Sequence, residues 1–373
     1  MELRRLELYG FRNYGAAAVS LHPGVNLFQG DNAQGKTNLL EAVRYLSAGK
    51  SFRTRKEREL IGFGKDFADL RATVFSQGRE KELRAVLYAD RRRRELYLSG
   101  VKQRTRKAMD GVLATVLFRP SDLLILSGGA SARRELIDDA LCQLKPSYAA
   151  SLSRYERALE QKSRVLRDRF DDPSLKALLP DYNEQLCRSG AELICARAEY
   201  AEALGAAAAA YHACFSGGRE TLEACYRTVS TVDDPSADVQ TIYARLREHL
   251  TAHWQNELDS CQCLSGPHKD DLDVRVNGVE LKLYGSQGQL RTAAISLKLA
   301  ERERFRQETG ETPVLLLDDV LSELDFTRQD FVLNQLTEGQ VLITCCEPDR
   351  LTDVGGIFTV DAGTVHPLRE ESE

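Results

Sequence analysis

The eight residues from Gly30 to Thr37, Gly-Asp-Asn-Ala-Gln-Gly-Lys-Thr, restrict the possible folds of this chain more than any other feature. They fit the pattern GxxxxGK[ST] at every defined position. In such a loop the backbone N–H groups surround phosphate oxygens, the lysine adds positive charge and the hydroxyl binds Mg²⁺. The pattern predicts a site for ATP and Mg²⁺ built from Gly30, Asp31, Asn32, Ala33, Gln34, Gly35, Lys36 and Thr37.

The flanking residues supply the structural context that this loop requires. Before the loop, Val25 and Leu27 alternate with polar residues, which is typical of a strand. After it, apolar residues recur at helical spacing, at Leu39, Leu40, Val43 and Leu46. A strand, a glycine loop and a helix in this order make a chance match to the pattern improbable.

A second stretch near the other end of the chain supplies the carboxylates that a phosphate loop needs. Val314 to Leu317 is a continuous apolar run, as in a strand buried on both faces, and Asp318 and Asp319 follow it. We expect Thr37 and Asp318 to be the metal ligands and Asp319 to polarise the attacking water, so that Lys36, Asp318 and Asp319 are the predicted catalytic residues. An acidic pair could instead cap the next helix, but the glycine loop favours the catalytic interpretation.

These two stretches lie about 280 residues apart, yet they must reach the same nucleotide. The chain between them is therefore predicted to be an insertion into one composite α/β head. Helical patterns cover Tyr148–Phe170, Asp181–Phe215 and about Val239–Leu258, and the first two suit an antiparallel hairpin. The predicted domains are residues 1–118 and 265–373 for the head, and 119–264 for a helical arm.

A third element distinguishes among the classes of phosphate-loop proteins. A Ser/Gly-rich turn from Tyr284 to Arg291 precedes a predicted helix, and hydroxyl and N–H groups at such a turn suit a γ-phosphate. In ATPases of the ABC type this signature faces the nucleotide of the other subunit. Ser322-Glu-Leu-Asp325 resembles the loop that follows the acids in those proteins. Alone the signature could be a plain turn; with its spacing from the acids it predicts that Ser286, Gly288 and Gln289 bind nucleotide across a homodimer.

Composition and charge limit the partners of the chain. It has 373 residues, enough for about two domains, and no apolar stretch approaches the roughly 20 residues that span a bilayer. We therefore expect no membrane partner. Its nine cysteines match no metal or redox spacing, so we expect reduced thiols and a cytoplasmic location.

The net charge of −5 conceals a basic segment, because residues 50–107 carry 18 Lys and Arg against 8 Asp and Glu. Such a segment indicates a polyanion on one face, although a solvated surface would have the same composition. The predicted DNA-contacting residues are Arg53, Arg55, Lys56, Arg91, Arg92, Arg93 and Arg94.

Several longer motifs resemble the RecF family of SMC-like ABC ATPases over essentially the full chain. They are Gly10-Phe-Arg-Asn-Tyr14, Gly35-Lys-Thr-Asn-Leu-Leu-Glu-Ala42, Lys50-Ser-Phe-Arg53, Phe118-Arg-Pro-Ser-Asp-Leu123 with Arg133-Arg134, Gly266-Pro-His-Lys-Asp-Asp271, Tyr284-Gly-Ser-Gln-Gly-Gln289 and Leu317-Asp-Asp-Val-Leu-Ser-Glu-Leu-Asp325. The resemblance implies an ATP-dependent dimer that binds double-stranded DNA or its junction with single strands and, with RecR and RecO, helps to load RecA. It also implies that Arg12 and Asn13 border the nucleotide.

The chain departs from the family and ABC patterns in three places. Lys269 stands where the family usually has Arg, no Gln occurs near Pro120-Ser121, and Thr344 is the nearest candidate for the ABC switch His. The missing Gln and His, with Asp319 in place of the commoner Glu, predict slow hydrolysis that serves as a switch. Together with the resemblance, we expect a slow, DNA-stimulated ATPase. Two alternatives remain: the nucleotide-binding subunit of another ABC-type system, such as a transporter, and a small-molecule phosphotransferase.

Overall fold

The computed structural model describes residues 1–90, 92–229, 232–334, 338–346 and 355–368. Its strands are β1 (Glu2–Phe11), β2 (Tyr14–Ser20), β3 (Val25–Gln29), β4 (Phe67–Ser76), β5 (Arg79–Tyr88), β6 (Glu95–Leu98), β7 (Val101–Gln103), β8 (Thr115–Phe118), β9 (Leu222–Arg227), β10 (Asp271–Val276), β11 (Val279–Glu280), β12 (Val314–Asp318), β13 (Val341–Cys345), β14 (Gly356–Asp361) and β15 (Thr364–Pro367). Its helices are α1 (Lys36–Ala48), α2 (Ala130–Leu144), α3 (Pro146–Asp168), α4 (Leu179–Ser216), α5 (Val239–Ala252), α6 (Trp254–Ser260), α7 (Leu281–Tyr284), α8 (Gln287–Thr309) and α9 (Phe326–Asn334).

The chain forms two compact units, and the first is built from both ends of the sequence. It contains Met1–Leu123 together with Glu301–Glu373. Six strands form one sheet in the order β15-β14-β3-β13-β12-β8, in which every pairing except β14 with β15 is parallel. The buried apolar runs of β12 and β13 make them central strands, because both faces of such a sheet are covered. The prediction that the two ends share one core is confirmed.

A second sheet of the first unit is antiparallel, in the order β2-β1-β4-β5-β6-β7. Its strands alternate buried and exposed residues, and Leu70, Ala72 and Val74 of β4 are buried in the same cluster as Leu39 and Val43 of α1. This packing fixes α1 between the sheets' apolar side chains and so positions the loop that precedes it.

The second unit, Leu124–Ala300, contains the predicted hairpin. Its α3 and α4 are antiparallel: Tyr148 bonds to Arg197, whereas Ser151, further along α3, bonds to the earlier Glu192 of α4. The third predicted helix is interrupted at His253, so that α5 ends at Ala252 and α6 begins at Trp254.

The predicted domain boundary at residue 264 differs from the observed division. Residues 265–300 belong to the second unit, because β10 pairs with β9 along six residues in a sheet of order β11-β10-β9. The Arg133 side chain of α2 also bonds to Asp271 of β10, at 2.7 and 2.9 Å. Asn277 and Gly278 form the turn between β10 and β11, with φ of 52° and 76°, and residues 281–284 that follow β11 are helical.

Within the described ranges, no helix combines the length and the apolar character needed to cross a membrane. All nine cysteines lie in these ranges, and each is a free thiol.

Candidate nucleotide site

The predicted phosphate loop joins the end of β3 to the start of α1, and its backbone adopts conformations that glycine permits. The φ angles of Gly30, Ala33 and Gly35 are +151°, +66° and +119°. A Cβ on Gly30 would lie 2.3 Å from the carbonyl oxygen of Val360, and one on Gly35 would lie 2.7 Å from Asn13 Nδ2. These two glycines are therefore required both by their backbone angles and by close neighbours.

Lys36 is buried at the first position of α1, with its ammonium over the loop. Its Nζ donates to the carbonyl oxygens of Gly30 and of Asp31, the latter at 2.9 Å. Cys346, which follows β13, has its Sγ 3.7 Å from this Nζ and 3.2 Å from Asn32 Oδ1. The Lys36 ammonium thus places a positive charge beside the loop, where the pattern predicts phosphate contacts.

Thr37 and Asp318, 281 positions apart in sequence, are in direct contact. The Thr37 hydroxyl donates to Asp318 Oδ1 at 2.8 Å, and the Thr344 hydroxyl lies 3.1 Å from the same oxygen. The register of the parallel sheet explains this, because Asp318 of β12 lies opposite Thr344 of β13 and Thr344 lies opposite Phe28 of β3. Burial raises the pKa of the Asp318 carboxyl, and the two hydroxyls oppose that shift.

These two oxygen donors fit Mg²⁺. Magnesium is held in phosphate-binding proteins by one or two protein oxygens, with the other positions filled by phosphate and water. A buried carboxylate oxygen 2.8 Å from a hydroxyl is such a donor pair. Among the described residues no group of three or more His, Cys, Asp or Glu side chains could hold a metal.

Asp319 follows the strand with a positive φ of 53°, an uncommon conformation for a residue with a side chain. Its N–H donates to the Thr344 hydroxyl at 2.9 Å, and the Ser322 hydroxyl donates to its carbonyl oxygen at 2.7 Å. The fixed backbone holds the carboxylate at the edge of the sheet where Asp318 and the loop meet. Strain of this kind concentrates at functional sites.

Arg12 and Asn13, which the resemblance predicts to border the nucleotide, lie beside the loop and form hydrogen bonds with the loop and with α1. Arg12, with φ of 52°, makes a bidentate pair with the fully buried Glu41 of α1, at 2.7 and 2.9 Å. Asn13 donates to the carbonyl oxygen of Gln34 at 2.8 Å and accepts from Asn38 at 2.8 Å. Both side chains therefore hold the loop and the start of α1 in place.

The predicted signature lies in the second unit, where Ser286 caps α8. Gln289 N–H donates to Ser286 Oγ at 3.2 Å, and Ser286 N–H donates to Gln289 Oε1 at 3.1 Å. This reciprocal pair is a capping box. Gln289 also donates to Glu220 at 2.8 Å, and the Gly288 carbonyl accepts from Thr292 at 2.9 Å. The side chains of Tyr284 and Leu283, just before the signature, are 75% and 62% exposed.

Residues 2–364 of the chain match the RecF/RecN/SMC N terminal domain family. The chain is 40% identical to the DNA replication and repair protein RecF of Symbiobacterium thermophilum, covering 98% of each chain, and 38% identical to that of Agathobacter rectalis, covering 99% of this chain and 100% of the relative. The chain belongs to the RecF family.

Solved structures agree with this assignment. The recombination mediator protein RecF with ATPrS, in the RecFOR pathway, matches with a TM-score of 0.91 and 33% identity, covering 98% of each chain. RecF with ATP matches with a TM-score of 0.89 and 33% identity, covering 99% of this chain and 98% of that one. The Smc head domain of Pyrococcus furiosus, at 16% identity, has a TM-score of 0.57 over 98% of this chain and 96% of that one and shows the fold alone. The predicted ABC/SMC head with an inserted helical arm is confirmed.

The basic residues predicted to contact DNA differ in their exposure and in their partners within the protein. Arg55, Arg93 and Lys56 are exposed, and Lys56 pairs with Glu59 at 3.4 Å. By contrast, Arg94 bonds to Tyr45 Oη at 3.0 Å, to the carbonyl oxygen of Gly49 at 2.9 Å, and to Glu57.

Two further predicted contacts are partly engaged by the protein itself. Arg53 donates to Asn38 Oδ1 at 2.6 Å, and Arg92 pairs with Asp90 at 2.8 Å. Arg91 lies outside the described residues. Arg94 supports the end of α1 in this structure, so we remove it from the predicted DNA contacts.

Sequence reasoning gave no role to two residues that shape the site, Glu41 and Tyr14, and did not foresee the bonds of a third, Thr344. Glu41 is a fully buried acid on α1 that holds Arg12. The buried Tyr14 hydroxyl donates to the Gly35 carbonyl oxygen at 3.0 Å, and Thr344 bonds to both Asp318 and Asp319. A charged residue within the apolar pattern of α1 was a signal for Glu41, whereas the partners of Tyr14 depend on tertiary contacts alone.

Proposed function

We propose that this RecF-family protein is an ATP-dependent, DNA-binding switch of recombinational repair and replication restart. The observation that carries the proposal is the contact between Thr37 of the loop and Asp318 of the distant strand. It joins the predicted phosphate and metal ligands in one site. Family membership and the relatives named with ATP support ATP as the ligand.

In this proposal each residue has a role that follows from its position. Lys36 and the loop N–H groups bind phosphates, and Thr37 and Asp318 hold Mg²⁺, which supplies charge neutralisation when bound. Asp319 orients and deprotonates the attacking water. The nearest candidate for the ABC switch His is Thr344, whose hydroxyl cannot act as a general base near neutral pH as histidine does. Hydrolysis is therefore slow and serves as a timer.

The signature supports dimerisation on ATP. Ser286, Gly288 and Gln289 open α8, and an anion at a helix N-terminus is stabilised by the backbone N–H groups. The exposed Tyr284 and Leu283 provide apolar area beside this helix terminus. The proposed dimer binds double-stranded DNA or its junction with single strands, and this DNA stimulates its ATP hydrolysis. It acts with RecR and RecO to help load RecA, in keeping with the RecFOR pathway named for the relatives.

Sizing with and without nucleotide tests this function. We expect the wild-type chain to be monomeric alone, to double in mass with ATP and Mg²⁺, and to bind gapped DNA more tightly in that state. Lys36→Ala should remain monomeric under every condition, because it removes the charge that faces the phosphates. A wild-type chain that stays monomeric with ATP and gapped DNA, or that transfers phosphate to a metabolite, would contradict the proposal.

A further inference from the structure

An exposed aromatic group lies on the first unit, outside the nucleotide site described above. Phe63 is fully exposed, and the rings of Tyr9 and Phe67 are 44% and 37% exposed. Tyr9 and Phe67 contact each other with ring centroids 5.3 Å apart, and the ammonium of Lys65 lies 5.9 Å from the Tyr9 centroid. Neither family membership nor the proposed function requires these rings.

Phe63 is held at the tip of a well-anchored turn. The N–H of Lys65 donates to the carbonyl oxygen of Gly62 at 2.9 Å, and Gly64 has the positive φ of 73° that the third position of a type II turn requires. The Gly62 N–H in turn donates to the carbonyl oxygen of Gly10 at 2.7 Å. A Cβ on Gly62 would lie 2.9 Å from the carbonyl oxygen of Arg12, so this residue must be small.

The exposed ring of Phe63 does not stabilise the fold, whereas a buried ring of this size would stabilise the protein by roughly 1.5–3 kcal/mol. A rigid turn that presents one ring to solvent is therefore suited to a ligand. A flexible loop could cover its own apolar residue, but the bonds at Gly62 and Lys65 prevent that here.

The charges next to this turn distinguish among ligands. Arg55, Arg58 and Lys65 are exposed, and none of the three has an ion pair within the described residues. Of the acids near this turn, Glu57 pairs with Arg94 and Glu59 bonds to Lys56 and Thr54, whereas the exposed Asp66 has no ion pair in the part of the chain that the structure describes. The three cations outnumber this one unpaired acid. Flat rings beside unpaired cations match a single DNA strand, which presents bases and phosphates together. A partner protein would have to present an acidic surface instead.

We propose that Phe63 stacks on an unpaired base of a DNA strand, with Lys65 and Arg58 contacting the adjoining phosphates. The inference rests on the proposed DNA-binding function and specifies which part of the DNA this turn contacts. It gives the chain a means to prefer single-stranded regions beside a duplex, because the faces of bases inside a continuous duplex are covered by the neighbouring base pairs.

Binding of gapped and continuous duplex DNA, with ATP and Mg²⁺, tests the proposal. Phe63→Ala should lose about ten-fold in affinity for gapped DNA, the effect of one lost base–aromatic stack, and keep its affinity for the continuous duplex. A fluorescent adenine analogue in the gap should lose its stacking signal in the same variant. Phe63→Trp should retain both, because tryptophan stacks equally well.

Controls separate this inference from the proposed function. Phe170→Ala removes a ring of the second unit that is 72% exposed and should leave both affinities unchanged. Equal gapped-DNA binding by Phe63→Ala and wild type would overturn the stacking role, as would an equal loss on both DNAs or a loss of ATP affinity or dimer alone. If the wild type bound neither DNA, the proposed function itself would fail.

Discussion

Arg94 and Arg55 show that the role of a basic residue depends on its partners. Both are arginines of the same basic segment, but Arg94 bonds to a helix-end carbonyl and to Glu57, whereas Arg55 is exposed. Cations near the last carbonyl groups of a helix are stabilising, so Arg94 supports α1. The sequence does not distinguish the two, since neither burial nor hydrogen-bond partner is encoded in a local pattern.

His268 provides a prediction at the residue scale. Its Nδ1 lies 2.6 Å from the Tyr155 hydroxyl and its Nε2 lies 3.0 Å from the Cys263 carbonyl oxygen. Burial lowers its pKa to about 4. Because this is below the ordinary value of about 6.5, the neutral ring stabilises the fold above pH 6.5, and that contribution is lost as the pH falls to 4.

Between pH 7 and pH 4, the free energy of unfolding of wild type should therefore fall by about 3 kcal/mol more than that of His268→Gln, which lacks the titrating ring. Denaturant titrations of both proteins at several pH values measure this. The comparison must be between the two proteins, because burial raises the pKa of Asp270 to about 6 and gives it the opposite pH dependence in this range. Parallel pH profiles would show that His268 titrates normally.

Helix α8 shows at the element scale how one residue can have two roles. Ser286 accepts from the N–H of Gln289 and so caps the helix, and it is also the signature residue proposed to face a phosphate. The sequence Ser-Gln-Gly-Gln fits both a capping box and a signature, so the pattern alone does not separate stability from function.

Ser286→Asp separates the two roles. Aspartate caps a helix about as well as serine, so the unfolding free energy should change little, but its negative charge would repel a γ-phosphate and should abolish ATP-dependent dimerisation. Ser286→Ala should instead lose about 1 kcal/mol of stability through the missing cap. Thermal unfolding and sizing with ATP measure both effects. Normal dimerisation of Ser286→Asp would refute the role of the signature across the dimer.

At the scale of the whole molecule, the basic surface should determine how DNA affinity depends on salt. Each phosphate contact contributes about 0.9 to the slope of log affinity against log salt concentration. Replacing Arg55 and Lys56 by Ala should therefore reduce that slope by about two.

Arg94→Ala is the matched control for this experiment. It removes one positive charge of the same basic segment, but from a position bonded to Gly49 and Glu57, so we expect lower stability and an unchanged slope. Filter binding of duplex DNA over a range of salt concentrations gives both slopes. An unchanged slope in the double variant would exclude Arg55 and Lys56 as phosphate contacts.

The sequence by itself determined the loop from Gly30 to Thr37, the buried strand ending at Asp318 and the helical insertion between them. These features depend on glycine positions and apolar periodicity, which are local patterns that can be recognised in the sequence alone. It also determined that both chain ends must meet, because the phosphate loop and the metal-binding carboxylate have to reach the same Mg²⁺ and nucleotide.

Only the tertiary structure decided which side chains are partners. The contact of Thr37 with Asp318, the bonds of Thr344 to both acids, and the burial of Glu41 follow from the order β3-β13-β12 and from the packing of α1. The same holds for the pairing of β10 with β9, which places the signature in the second unit, and for the exposed ring of Phe63. Strand order brings together residues that are remote in sequence, and no local pattern contains that information.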